Sequence, residues 1–170
     1  MASTREADHH IEIRRYQSRD ASATLRIFDE AVTVSASADY TPEQIRAWQG
    51  MRPATLPQWD RSMRGSESYV ALIDGKVAGF SDLAQDGHIH MLFVDPRFGG
   101  RGVGRALLTF LEACAVGRGL SRLSADVSLT ARPLFERMGF EVVEEQRVRV
   151  GGQVLTNFQM AKRTALPSSQ

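Results

Sequence analysis

The stretch that decides the fold of this chain is HIHMLFVDPRFGGRGVGRALLTF, residues 88–110. An apolar run of β type leads into four glycines and an amphipathic pattern follows them, which predicts a strand, a glycine-rich loop and a helix. The backbone N–H groups of such a loop and of the first helical turn point to one place, where the helix dipole adds partial positive charge. We therefore expect this loop to hold a phosphate or pyrophosphate.

The glycine spacing separates this loop from two common nucleotide-binding motifs. The dinucleotide fingerprint G-x-G-x-x-G needs a third small residue three positions after its second glycine. Counting from Gly100 and Gly102 puts Arg105 there, and counting from Gly102 and Gly104 puts Leu107 there. The P-loop pattern G-x-x-x-x-G-K-[ST] does not occur in the sequence. A glycine-rich turn without a ligand stays the plain structural alternative.

The composition indicates one domain without an unusual partner. The chain has 170 residues, of which 42% are hydrophobic and 24% charged, and its net charge is +1. These values are ordinary and give no reason to expect nucleic acid or a membrane surface as a partner. The single cysteine, Cys114, excludes an internal disulfide framework and a cysteine-cluster zinc site. No apolar run approaches ~20 residues and the polar N-terminus lacks a signal-peptide core, so the cytoplasm is the expected location.

Periodicity and turn residues predict the element order β-α-α-β-β-β-α-β-α-β-β. HIHMLFV, residues 88–94, is interpreted as one continuous strand of this order. The order is typical of a single α/β (α+β) domain with a mixed, mostly antiparallel central sheet of about seven strands, flanked by about four helices. We expect the domain to span residues 9–163, after a disordered N-terminus at 1–8 and before a flexible tail at 164–170.

The two histidines of the opening stretch stand on this predicted strand, just before the loop. Side chains two apart on a strand face the same side, so one face would carry His88, His90, Leu92 and Val94. A neutral imidazole removes a proton near neutral pH, which suits chemistry at an amine. The same pair could instead hold zinc with a third ligand such as Asp82 or Asp86, or fill the sheet surface without a chemical role.

Two signatures in this sequence resemble one known family. VDPRFGGRGVGRALL, residues 94–108, resembles the central motif of the GNAT superfamily of acetyl-CoA-dependent N-acetyltransferases, which runs V-x-P, an aromatic residue, [RQ]-x-x-G-x-G and then a helix. The matching positions are Val94, Pro96, Phe98, Gly102 and Gly104. SLTARPLFERMGF, residues 128–140, is similar to the second signature, a short helix ending in F/Y-E-[KR]-x-G-F. The resemblance spans about residues 9–163 and implies a GNAT-like fold that transfers acetyl from acetyl-CoA directly to an amine, either a small molecule or a peptide.

The resemblance also implies roles for individual residues toward the cofactor. The loop would cradle the pyrophosphate through Gly99, Gly100, Arg101, Gly102, Val103, Gly104 and Arg105. Backbone groups of Val94 would pair with the pantetheine arm, which Phe135 and Ser128 would also approach, although Ser128 could serve only as a loop cap. The Leu92 N–H would polarise the thioester carbonyl as an oxyanion donor.

Further resemblances imply the base and the acceptor pocket. The arylalkylamine N-acetyltransferases carry the same H-x-H at the same distance from the G-x-G, and there the pair removes the amine proton directly or through water. His88 and His90 are therefore expected to act as base or to position a water. DYTPEQIRAW, residues 39–48, resembles a stretch of a bacterial GNAT subgroup whose first two helices border the acceptor pocket. This predicts Tyr40 and Trp48 in the pocket, and ordinary helix packing explains them equally well.

This chain departs from the family pattern at two positions. Gly99 stands where the family usually has Arg or Gln, but backbone N–H groups hold the phosphates, so binding should survive. Phe135 stands where the family often has a tyrosine that protonates the leaving thiolate. The proton must then come from another group or from water, and Tyr16, Tyr40 and Tyr69 are the only phenolic candidates.

Two other functions stay open at this stage. One is a non-catalytic acyl-CoA-binding or sensor module, and the other is a metal-dependent enzyme that uses His88 and His90. The favoured interpretation needs acetyl-CoA as cosubstrate and no metal, and a homodimer is possible. The sequence does not identify the acceptor amine.

Overall fold

The computed structural model describes residues 10–165, which form eight strands and five α-helices. The strands are β1 (Ile11–Arg15), β2 (Ser68–Ile73), β3 (Lys76–Asp82), β4 (His88–Ile89), β5 (Leu92–Val94), β6 (Arg122–Ser128), β7 (Glu141–Val150) and β8 (Gln153–Arg163). The helices are α1 (Ala21–Val34), α2 (Pro42–Gln49), α3 (Leu56–Gly65), α4 (Val103–Gly117) and α5 (Arg132–Arg137). The predicted disordered segment 1–8 and most of the predicted tail 164–170 lie outside the described residues. None of the helices described here is long and apolar enough to cross a membrane.

The strands form two four-stranded sheets rather than one continuous sheet. The first has the order β1-β2-β3-β5 and is antiparallel throughout. The second has the order β4-β6-β8-β7, in which β4 and β6 are parallel and the other pairs antiparallel. The predicted α/β fold class is confirmed, with one more strand and one more helix than expected. The additional strand arises because the predicted strand 88–94 is divided.

The division of that strand has a local cause at the end of β3. One oxygen of the Asp82 carboxylate, Oδ1, accepts the backbone N–H groups of His90 at 2.9 Å and of Met91 at 2.8 Å. The Ser81 hydroxyl donates to the Met91 carbonyl at 2.6 Å. Because side chains bind these backbone groups, His90 and Met91 do not pair with a neighbouring strand. The alternation of side chains between the two faces of the strand therefore stops at His90. The expectation of one continuous strand face from His88 to Val94 is therefore wrong.

Helix α4 lies across both sheets and joins their cores. Its buried residues Val103 and Leu107 belong to one apolar cluster with the first sheet, and Leu108 and Leu111 to another with the second sheet. This double stripe explains the run of apolar residues in the second half of the opening stretch. The helix that follows the glycine loop therefore holds both sheets in place.

Helix α3 was not expected from the periodicity. Thr55 and Gln58 form a capping box at its start, with the Gln58 N–H donating to Thr55 Oγ1 at 3.3 Å. Its core contact is Trp59, which is 2% exposed and whose Nε1 donates to Thr24 Oγ1 at 2.9 Å. The sequence Thr-Leu-Pro-Gln, residues 55–58, is typical of a helix start. However, only two apolar residues, Trp59 and Met63, are buried on this helix, so its apolar stripe is too short to be recognised by periodicity.

The contact between α4 and β3 depends on a glycine. A Cβ added at Gly79 would lie 2.8 Å from Val103 Cγ1 and 2.9 Å from the Phe93 carbonyl oxygen, and real Cβ atoms do not approach that closely. We expect Gly79→Ala to push α4 away from the sheet and to lower the free energy of unfolding by roughly 1–3 kcal/mol. Urea denaturation followed by circular dichroism measures this loss.

Gly117→Ala is the matched control for this variant. A Cβ at Gly117, the last residue of α4, would meet nothing within 4 Å. This control should leave the free energy of unfolding unchanged or slightly raised, since alanine is the better helix former. An equal loss of stability in the two variants would contradict the proposed close approach at Gly79.

Candidate active site

The candidate site is a wedge where the two sheets separate. Before His90, β4 pairs with β6 of the second sheet, and after it, β5 pairs with β3 of the first sheet. A gap therefore opens between β5 and β6. A cavity of about 470 Å³ fills this gap. Its walls come from β5 and residues 125–128 of β6, from helices α1, α2, α3 and α5, and from residues 146–150 of β7 and 155–157 of β8.

A buried carboxylate orients the histidine at the mouth of the wedge. The Asp82 side chain is 2% exposed, and its Oδ2 lies 3.0 Å from Nδ1 of His90, whose own side chain is 58% exposed and lines the cavity. A carboxylate oxygen can only accept, so it holds the ring proton on Nδ1 and leaves the Nε2 lone pair free. Burial raises the pKa of Asp82, and the hydrogen bonds from Met91 and His90 oppose that rise. The arrangement can therefore present a base to the cavity.

His88 lies behind His90 rather than on the cavity wall. Its Nδ1 is 2.8 Å from Ser124 Oγ and its Nε2 is 3.6 Å from Asp126 Oδ2. The two imidazole rings meet edge to face, with 4.8 Å between their centroids. The described cavity lining includes His90 and not His88. The structure thus brings the two predicted histidines together but gives only His90 direct access to the wedge.

The free edge of β5 also faces the wedge. The Asp95 N–H donates to the Ala78 carbonyl at 2.8 Å, and Val94 and Leu92 precede Asp95 by one and three positions. Hydrogen-bonded and non-hydrogen-bonded pairs alternate in an antiparallel ladder, so the N–H and C=O groups of Leu92 and Val94 point away from β3. Because β5 is the edge strand of its sheet, these groups are open to a strand-like ligand.

The glycine loop forms a second depression next to the wedge, with a volume of about 850 Å³. Gly100 and Gly102 have φ of 74° and 79°, values that favour glycine, and Gly102 directly precedes α4. At Gly104 a Cβ would lie 2.6 Å from Leu134 Cδ2, so this glycine lets α4 pack against α5. The lining contains Val94 and six of the seven predicted loop residues, namely Gly99, Gly100, Gly102, Val103, Gly104 and Arg105.

Of the two arginines predicted to contact the cofactor, only Arg105 lines this depression. Arg101 is absent from the lining, and its guanidinium carbon lies 5.5 Å from the centroid of the Phe98 ring. Arg137 of α5, which fills the [KR] position of the second signature, lines the depression with Arg105, although no role toward the cofactor was predicted for it. Two positive side chains therefore border this depression, one from each helix.

A fully buried carboxylate supports the start of the loop. Asp95 accepts the Arg97 N–H at 2.9 Å, the Arg97 Nη2 at 2.8 Å and the Arg26 Nη1 at 3.2 Å. Burial by itself would raise the pKa of Asp95, but these hydrogen bonds hold the pKa below its ordinary value. The carboxylate thus stays ionised and fixes the turn that aims the glycines.

Tyr40 is the one tyrosine of this chain that lines the cavity. Its hydroxyl donates to the Thr156 carbonyl at 2.7 Å and accepts the Leu129 N–H at 2.9 Å. Burial raises its pKa. Tyr16 instead donates to Asp60 at 2.8 Å, away from the wedge. The phenolic proton closest to the candidate chemistry is therefore already engaged.

The other predicted positions of the wedge are all in its lining. Trp48 packs edge to face on Tyr40, with 5.5 Å between ring centroids. Phe135 is 3% exposed and contacts Phe140 in the same way at 5.0 Å. Ser128 Oγ accepts the Ala131 N–H at 3.1 Å, which is the loop-cap role, while its residue borders the cavity.

Within residues 10–165, no three His, Cys, Asp or Glu side chains gather closely enough to hold a metal ion. The two carboxylates considered as a third ligand have other partners. Asp82 binds His90 Nδ1 as described, and Asp86 accepts the His88 backbone N–H at 3.1 Å. The role of Asp82 as the partner of His90 was not recognised from the sequence. The sequence feature that could have indicated this contact is the short link between β3 and β4, because it brings His90 back to the end of β3, where Asp82 lies.

The sequence and the fold resemble those of known acetyltransferases. The family model for the acetyltransferase (GNAT) domain matches residues 36–162. YafP of Escherichia coli (strain K12), which is named an uncharacterized N-acetyltransferase, is 40% identical over 152 residues, or 89% of this chain and 95% of YafP. The GCN5-related N-acetyltransferase structure from Rhodopseudomonas palustris superposes with a TM-score of 0.84 at 31% identity, covering 89% of this chain and 94% of that one.

A more distant structure shares the fold alone. The PaiA N-acetyltransferase from Thermoplasma acidophilum, solved in complex with coenzyme A, has a TM-score of 0.73 at 19% identity and covers 91% of this chain and 99% of that one. The family match extends over most of the described domain, and the relative at 40% identity spans nearly all of it. This chain therefore belongs to the GNAT family of acetyltransferases.

Proposed function

We propose that this chain transfers the acetyl group of acetyl-CoA directly to an amine, with His90 as the base. The observation that carries the proposal is the Asp82–His90 pair at the mouth of the wedge. An ammonium has no lone pair and must lose a proton before it can attack a carbonyl. A histidine whose Nδ1 is held by a carboxylate offers its Nε2 for that proton.

The residues of the wedge and the loop fit acetyl-CoA. When bound, it supplies the thioester from which the acetyl group is taken. The open edge of β5 suits the amide groups of a pantetheine arm, and the depression lined by Gly100, Gly102 and Arg105 suits a pyrophosphate. Arg137 of the second signature adds positive charge there. Arg101, which stacks on Phe98, is the weaker candidate for a phosphate contact.

The protein groups would act in a fixed order. The Nε2 of His90 takes the proton of the amine, and Asp82 stabilises the resulting imidazolium. The Leu92 N–H, which is not used by β3, donates to the carbonyl oxygen as negative charge develops on it. The new bond joins the amine nitrogen to the acetyl carbon while the carbon–sulfur bond breaks. His88 contacts the His90 ring and would support its position.

The leaving thiolate still needs a proton, and His90 is its proposed source. Phe135 has no proton to give, and the Tyr40 hydroxyl already donates to the Thr156 carbonyl. His90 carries the proton taken from the ammonium, and returning it to sulfur restores the neutral ring. The acylated nitrogen loses its second proton to solvent water, so the acetylation of one ammonium releases one proton. Tyr40 would instead position the chain around Ser128 and Leu129.

The remaining expectations belong to this proposal as well. The enzyme would act in the cytoplasm on a small-molecule or peptide amine, with neither nucleic acid nor membrane as partner. A homodimer is possible and gel filtration tests it. Tyr40 and Trp48 would border the acceptor, as their position on the cavity wall supports.

His90→Ala tests the base. We expect kcat/KM for acetyl transfer to fall by about 10²–10⁴-fold, the usual contribution of a general base, and the acid limb of its pH profile to disappear. A thiol-release assay at several pH values measures both. Isothermal titration should show acetyl-CoA bound as in the parent, because the proposed cofactor contacts lie on β5 and the loop. An unchanged acid limb, or no acetyl-CoA binding by the parent, would sink the proposal.

Asp82→Asn tests whether Asp82 orients the His90 ring for catalysis. The asparagine amide would donate to His90 Nδ1 and so shift the ring proton to Nε2, which removes the lone pair from the cavity. We expect kcat/KM to fall by about 10²-fold or more. Asp86→Asn, which changes an exposed carboxylate outside the cavity, is the control and should stay within about twofold of the parent.

The same variant has a defined effect on stability. The pKa of Asp82 is raised in the folded protein, so its contribution to stability is full at acid pH and is lost as the pH rises through that pKa. Asp82→Asn removes this loss. The variant should be as stable as the parent or more stable at pH 7, and its advantage should vanish toward pH ~3. Thermal unfolding midpoints of the parent and the variant, measured across that pH range, test this prediction. A variant that is less stable than the parent at pH 7 would contradict it.

A further inference from the structure

The charges on the cavity wall restrict the acceptor. Among the described lining residues, Asp126 is the only carboxylate and Arg52 the only guanidinium. Arg52 is already neutralised, since its Nε and Nη2 donate to Asp29 at 2.9 and 3.2 Å and its Nη1 to the Pro53 carbonyl at 3.0 Å. A carboxylate or phosphate on the acceptor would find no free cation here. One ammonium would find one carboxylate, whereas further ammonium groups would lack a partner.

Three aromatic side chains contribute to the cavity wall. Phe28, Trp48 and Phe93 come from α1, α2 and β5, and all line the cavity. The Phe93 ring contacts Phe28 with a centroid distance of 4.9 Å and Trp48 with one of 6.3 Å. Trp48 and Phe93 are only partly buried in the core. Flat apolar surface of this kind suits a ring-sized apolar body.

One polar atom on the cavity wall has no partner. Asn157 of β8 lines the cavity, and its Oδ1 is buried without a hydrogen bond to any described residue. It pairs across the sheet with Ser128 on one side and Gln146 on the other, both of which also line the cavity. A buried carbonyl oxygen without a donor costs free energy, and a ligand hydroxyl or N–H would satisfy it.

From these three features we propose that the acceptor is a small monoamine with a ring-sized apolar body, no acid group, and a hydroxyl or N–H that reaches Asn157 Oδ1. The inference rests on the proposed acetyl transfer. The cavity of about 470 Å³ must also hold the acetylated thiol end, so a bulky acceptor would not fit. Asp126 attracts the ammonium toward the wedge, where His90 takes its proton.

Four amines test the charge class in the thiol-release assay. 2-Phenylethylamine has one ammonium and a ring, tyramine adds a hydroxyl, phenylalanine adds a carboxylate, and spermidine has several ammonium groups and no ring. We expect kcat/KM for phenylalanine and spermidine to lie at least about 10²-fold below that for tyramine. Turnover of phenylalanine or spermidine as fast as tyramine would overturn the acceptor class and leave acetyl transfer standing. Thiol release with none of a wide panel of amines would overturn both.

Asn157→Leu tests the hydrogen bond within the same assay. In the parent, tyramine should have a kcat/KM about 3- to 10-fold above that of 2-phenylethylamine, the range of one hydrogen bond. The variant should lose this preference, so that the kcat/KM values of the two amines become similar. Circular dichroism reports that the variant is folded. A preference that survives in Asn157→Leu would exclude Asn157 as the contact.

Asp126→Asn tests attraction of the ammonium. We expect KM to rise about tenfold for both ring amines, with a weaker dependence on salt than in the parent. Glu145→Gln is the matched control, because Glu145 is an exposed carboxylate of β7 outside the cavity and its loss should leave KM unchanged. Equal effects of the two variants would mean that general surface charge, and not Asp126, attracts the acceptor.

Discussion

The buried carboxylate of Asp82 is the contact on which the candidate site depends. By accepting the N–H groups of His90 and Met91, it takes the chain out of the ladder and divides one apolar stretch into β4 and β5. The two halves then join different sheets, and the wedge between them is the cavity. The same carboxylate orients the His90 ring through its other oxygen. One side chain therefore divides the strand at the wedge and orients the proposed base.

The raised pKa of Asp82 shows that this arrangement has a cost. An ionised carboxylate with 2% of its side chain exposed is unfavourable even with three hydrogen bonds. Helix α4 packs on both sheets, on either side of the break in the strand ladder at this carboxylate, and its apolar contacts stabilise the fold that contains the buried group. Asp95 presents the opposite case, in which arginines fully compensate a buried carboxylate and lower its pKa. One carboxylate supports the loop and the other serves the proposed chemistry.

The two depressions divide the proposed reaction between them. The one at the glycine loop is bordered by Arg105 and Arg137 and suits an anionic group. Apolar and aromatic side chains form much of the wall of the wedge, and His90, Asp126 and Asn157 are among the polar groups on it. Such a division lets a cofactor be held by its charged end while its reactive end enters a low-dielectric space. Electrostatic contacts to a developing charge are stronger in that space than in water.

Much of the loop could be predicted because its determinants are local. The positive φ of Gly100 and Gly102 depends on neighbouring residues, and their spacing already excluded the dinucleotide and P-loop motifs. The H-x-H beside the loop predicted histidines near the cofactor. The capping box that begins α3 was also local, but its short apolar stripe gave too weak a periodicity to be recognised.

The sequence by itself determined the α/β family fold and the glycine loop, and it narrowed the candidate base to His88 and His90, because glycine conformation, helix caps and motif spacing act over a few residues. Only the tertiary structure decided that strand 88–94 divides, that Asp82 holds His90 and that His88 lies behind it. It also decided which polar groups reach the cavity, since Arg52, Asp126 and Asn157 come from distant parts of the chain. Contacts of that kind depend on how sheets and helices pack, and no local pattern carries them.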